Sequence, residues 1–119
     1  MTAGAVRSFC LDLNGTFEDT PFPGSPGLVV FKVSGKIFAF CAPEETPLKI
    51  SLKCDPEEAL RLRETHRAIV PGWHLNKRHW NTVTVAELPA RMVRELIEDS
   101  YDLVVAGLPK ADRLRLDRP

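Results

Sequence analysis

The sequence predicts an α+β fold, a two-layer sandwich in which an antiparallel sheet of about five strands carries helices packed on it. Three observations predict it. Residues 28–42 hold two β-rich runs around the dipeptide Ser34-Gly35, the pattern of a tight hairpin. Residues 48–54 alternate between apolar and polar side chains, as a strand with one wet face does. Asp55-Pro56 then opens a helix, because Asp caps well and Pro fits the first helical position, where its missing N–H has no partner to lose.

The remaining elements follow along the chain. Val6, Phe9, Cys10 and Leu13 recur at i, i+3, i+4 and i+7, an apolar helix stripe that Asn14-Gly15 terminates. A strand over about 16–22 leads into a loop holding Pro21, Pro23, Gly24, Pro26 and Gly27. In the hairpin, strands at 28–33 and 36–42 with Val33 opposite Lys36 place Val29, Phe31, Phe38 and Phe40 on one face. Val30, Lys32, Ile37 and Ala39 fall on the other, so both faces are partly apolar and the hairpin is central. The strand at 47–53 turns Leu48, Ile50, Leu52 and Cys54 inward and Lys49, Ser51 and Lys53 outward. The helix after Asp55 has Glu58 placed to complete a capping box and an inner stripe of Ala59, Leu62, His66, Ile69 and Val70, and Pro71-Gly72 stops it. A strand follows at 80–85, then a helix from Pro89 with Met92, Val93, Leu96 and Ile97 inward. Asp99-Ser100 reads as a break that caps a second helix, and the charged segment 110–119 as a frayed tail of one domain spanning 1–119.

The chain of 119 residues is 44% apolar, with 16 Lys and Arg against 16 Asp and Glu, so it suits one globular domain. A domain of that size builds a core without staples. Three cysteines, at 10, 41 and 54, cannot all pair and include no CxxC, which predicts reduced, protected thiols and a cytoplasmic location. No run of apolar residues reaches membrane-span length, and the first residues lack the pattern of a signal peptide. No Gly-rich phosphate loop, GxSxG or zinc-type cysteine pair occurs, so no enzymatic activity, cofactor or metal is expected.

Charge is concentrated rather than even. Residues 1–60 sum to −3, residues 61–80 to +4 and residues 81–119 to −1. The positive segment contains Arg61, Arg63, Arg67, Lys77 and Arg78 together with His66, Trp73, His74, His79 and Trp80, a coincidence of cations and aromatics that suits an anion or nucleic-acid contact. Two readings of the helix arginines stand side by side: phosphate contacts, or a solvated face paired with Glu57, Glu58 and Glu64. For the string His74 to Asn81 the structural reading has Asn76 and Asn81 tying the loop backbone while Trp73 and Trp80 bury against the sheet.

Four stretches, Phe31 to Ala39, Leu52 to Glu57, His74 to Trp80 and Ser100 to Val105, together resemble the MmcQ/YjbR-like family over nearly the whole chain. The resemblance implies a two-layer α+β fold comparable with frataxin-like and type III secretion-chaperone-like folds. The family's usual label, DNA-binding protein with a double-wing surface, is a fold-level analogy. Taken with the positive segment, that label gives the first reading: a non-enzymatic DNA-binding domain whose own cations Lys77, Arg78, His79 and His74, with Arg61, Arg63 and Arg67, contact phosphates. The alternative is a protein-interaction or chaperone-like module, or a homodimer, working through the sheet. A small-ligand or metal site at the histidine loop is a third reading.

Overall fold

The computed structural model describes residues 1–72 and 74–118. Helix α1 (Ala3–Asp12) starts where Thr2 Oγ1 accepts the Ala5 N–H, and it buries Val6 and Cys10. Six strands follow the prediction of an antiparallel sheet: β1 (Thr16–Asp19), β2 (Val29–Val33), β3 (Lys36–Cys41), β4 (Lys49–Lys53), β5 (Ile69–Pro71) and β6 (Trp80–Thr84). Their spatial order is β1-β2-β3-β4-β6-β5, all neighbours antiparallel. Helices α2 (Pro56–Thr65), α3 (Ala90–Ala106) and the short α4 (Lys110–Arg115) complete the chain. Phe31, Ala39, Ile50, Leu52 and Val83 from the sheet form one core with Val6, Leu62, Ile97 and Tyr101 from the helices. Among the described residues, no helix is long and apolar enough to cross a membrane.

The sixth strand corrects the expected length of the helix after Asp55. α2 ends at Thr65, His66 turns to extended backbone, and Ile69–Pro71 pairs with Val83, Thr82 and Asn81. The β-branched pair Ile69-Val70 suits a strand, and Pro71 is tolerated because β5 is an edge. Pro71-Gly72 therefore stops no helix. Gly72 instead donates its N–H to the Trp80 carbonyl at 2.8 Å, and a Cβ there would meet Trp80 Cβ at 2.8 Å.

The hairpin turns at Ser34 (φ 48°) and Gly35 (φ 76°), with Val33 opposite Lys36 as expected. Beyond that the register shifts. Phe31 pairs with Ala39 and Lys32 with Ile37, so Phe38 is the extra residue of a bulge. The expected grouping of the phenylalanines is thus wrong for Phe40: Phe31, Phe38 and Ala39 enter the core, whereas Phe40 lies on the opposite face beside Phe22 and Trp80. β4 keeps its predicted alternation, with Ile50 and Leu52 buried.

Two expectations near the C-terminus are also corrected. α3 runs without a break through Asp99-Ser100, and Ser100, fully buried, caps nothing. Its hydroxyl donates to the Phe38 carbonyl at 2.6 Å and accepts the Lys53 N–H at 2.9 Å, joining helix to sheet across β3 and β4. Segment 110–118 is not frayed: α4 delivers Leu116, 8% exposed, into the core, and Asn14 Nδ2 donates to the Leu116 carbonyl.

Candidate binding surface

The basic segment is drawn together by Arg63. Its Nε donates to Asn81 Oδ1 at 2.6 Å, and its Nη2 donates to the carbonyls of Lys77 and Trp80, so the guanidinium fastens the loop before β6 to the last turn of α2. Asn81, 3% exposed, is held in turn by its Nδ2 donating to the Ala59 carbonyl. Arg63 thus belongs to the fold rather than to an outer face. Lys77 turns back as well, its Nζ donating to the Gly72 carbonyl at 3.0 Å. Arg61 pairs with Glu58, which takes up the carboxylate expected to complete the capping box, and Asp55 caps alone with its Oδ2 3.4 Å from the Glu58 N–H. Arg67 and Arg78 are exposed.

The three histidines take separate places in the fold. His66, predicted on a helical stripe, is the half-buried residue after α2, and its N–H bonds to the Leu62 carbonyl. The His79 carbonyl accepts the Cys54 N–H at 2.7 Å, which ties the loop to the end of β4. His74 is an exposed turn residue at φ 57°. As the structural reading expected, Asn76 secures the loop, its Oδ1 accepting the Arg78 N–H. The expected burial of Trp73 lies outside the described residues. Among the described residues, no group of three or more His, Cys, Asp or Glu is placed to hold a metal ion.

The three thiols are unpaired, and Cys10 and Cys41 are buried while Cys54 is half-buried. Burial pushes Cys10 up to about 12 and Cys41 to about 11. Cys54 also rises to about 11, first through desolvation and then through Glu58, Asp55 and Asp99. Each shift favours the protonated thiol, and the reactive species is the thiolate. Asp99 is held above the usual carboxylate range by desolvation and by the neighbouring Asp102, Glu95, Glu98 and Glu58.

The sheet face turned away from the helices holds a different kind of site. Phe22, in the loop between β1 and β2, stacks on Phe40 with centroids 6.4 Å apart, and Trp80 meets Phe40 edge-on at 5.3 Å. Between this loop and Val70, Pro71, His74 and Leu75 lies an open groove of about 1080 Å³, floored by Phe40, Ser51 and Thr82. The two hydroxyls bond each other at 2.8 Å, so the centre of the floor is polar and its flanks apolar. Val70 and Phe22 are 47% and 39% exposed, large apolar side chains left uncovered at the two walls. Sequence reasoning identified the wet side of β4 but missed this groove. The groove depends on the bulge at Phe38 and on pairing between β4 and β6, 27 residues apart from Lys53 to Trp80.

Fold and surface together define a small α+β domain with helices on one face of an antiparallel sheet and a grooved, partly aromatic opposite face. The chain belongs to the YjbR family, whose model matches residues 11–103. It is 38% identical over 107 residues to the uncharacterized protein YbdF of Escherichia coli O157:H7, covering 89% of this chain and 88% of that one. It is 39% identical over 83 residues to the uncharacterized protein YjbR of Escherichia coli strain K12, covering 69% and 70%. Among solved structures, the Deinococcus radiodurans protein DR2400, described as a DUF419 domain, superimposes with a TM-score of 0.90 at 40% identity, over 99% of this chain and 89% of that one. A Pseudomonas syringae protein matches with a TM-score of 0.76 at 29% identity, over 87% and 98%.

Proposed function

We propose that this chain is a non-enzymatic interaction module that receives an extended polypeptide segment on the open face of its sheet. The observation that supports it is the groove between Phe22 and Leu75, because a concave surface with apolar walls and a hydroxyl floor suits side chains and backbone of an extended peptide together. Exposed apolar side chains on both walls favour a ligand over open solvent. The free thiols suit a reducing compartment such as the cytoplasm. The test is titration of a short neutral peptide with a central Trp-Leu pair, followed by amide chemical shifts. Shifts centred on Phe40, Ser51, Thr82 and Leu75, weakened by Phe22→Ala, are expected. Shifts confined to α2 and residues 76–79, or none, overturn the reading.

A second reading, DNA binding through phosphate contacts, is favoured by the exposed Arg67 and Arg78 and by Arg61, whose pair with Glu58 is exposed and therefore weakly held. Arg63 then positions the loop rather than touching DNA. Duplex affinity should fall with salt, and Arg67→Ala with Arg78→Ala should flatten the log–log slope by about 0.9 for each phosphate no longer neutralised. Absence of binding at low salt overturns it.

A further inference from the structure

The groove's charged lining is uneven. Glu44 and Glu45, both exposed, line the groove from the loop between β3 and β4, and Lys49 and His74 belong to the same lining. Two carboxylates thus face one ammonium in the lining, while Phe22, Val70 and Leu75 supply large apolar side chains to the walls. A phosphate strand laid here would meet like charge, whereas a segment carrying one cation next to an apolar side chain would find complementary partners for both. The salt-bridged acids elsewhere on the surface are already engaged: Glu18 by Arg7, Asp19 by Lys32 and Glu58 by Arg61.

We infer that the groove selects cationic apolar segments, with an aromatic or branched side chain held between Phe22 and Leu75 and a neighbouring Lys or Arg received by Glu44 and Glu45. This rests on the interaction-module reading of the same face and adds the chemistry of its ligand. An exposed ion pair changes affinity by about two- to fivefold, so the preference is modest per contact and sensitive to salt.

The experiment compares three short peptides sharing a central Trp-Leu pair and flanked by Lys, by Gln or by Glu, titrated by fluorescence anisotropy of a peptide label. The expected order is Lys tightest and Glu weakest at low salt, converging at high salt. E44Q with E45Q should remove most of that spread while leaving the affinity of the Gln-flanked peptide within about twofold. Equal binding of the Lys and Gln peptides, or an order unmoved by E44Q with E45Q, overturns the charge preference and leaves the groove reading standing. Failure of all three peptides to bind overturns both. Displacement of the uncharged Gln-flanked peptide by duplex DNA would assign the face to nucleic acid and also overturn the inference.

Discussion

Ser100 shows how a residue's role depends on what lies across from it. In the sequence it follows an acid and precedes an apolar run, the local pattern of a helix cap, and local capping is the only partner that neighbours in the chain reveal. In the fold it faces the sheet, where the Phe38 carbonyl and the Lys53 N–H need a partner that the bulge and the strand end deny them. Ser100→Ala leaves both groups unpaired in or near the core and should cost about 2–4 kcal/mol of stability. Urea titration checks it, and an unchanged midpoint would mean that water replaces the hydroxyl. Asp55 and the Ser34-Gly35 turn were legible because their chemistry is satisfied within a few residues.

Among the elements, α2 and the loop before β6 act as a unit through Arg63. The helix arginines look alike in sequence, three cations at Arg61, Arg63 and Arg67 with acids nearby, and periodicity alone assigns all three to an outer face. Only the position of β6 shows that Arg63 reaches Asn81 and the Lys77 and Trp80 carbonyls. Arg63→Ala should therefore cost about 2–3 kcal/mol, the range for hydrogen bonds to a charged donor, and speed amide exchange over residues 76–80. Arg63→Lys should not restore it, since one ammonium cannot span the guanidinium's acceptors. Arg61→Ala, on an exposed pair, should leave the melting midpoint unmoved, and a comparable loss there would show that charge rather than the loop clamp matters.

Across the molecule as a unit, the C-terminal segment closes the helix layer. Leu116 packs where Gly15, at φ 73°, leaves room, since a Cβ on Gly15 would overlap Leu116 Cδ2. Arg118 lies over the Tyr101 ring at 5.4 Å and pairs with Asp102, and Tyr101 donates its hydroxyl proton to the Asn14 carbonyl. Leu116→Ala should lower stability by about 2 kcal/mol, the lower end for a core leucine because the site lies near the surface. Thermal unfolding reads it, and no change would mean that α4 docks without contributing to the cooperative core.

Local sequence was enough for the α+β class, the hairpin and its turn, the cap at Asp55, the alternation of β4 and the apolar stripe of α1. Each is fixed by residues within one or two turns of one another, where sterics and periodicity act before any tertiary contact forms. Packing settled the rest. Ile69-Val70 is apolar enough for a helix end or a strand, and pairing with β6 made it a strand. Ser100, Arg63 and Leu116 carry polar or apolar groups whose partners lie far along the chain, so their roles emerge only once distant elements meet. The groove belongs to the same category, because its walls come from the β1–β2 loop and from Val70, Pro71, His74 and Leu75. No local pattern marks that they face each other across one sheet.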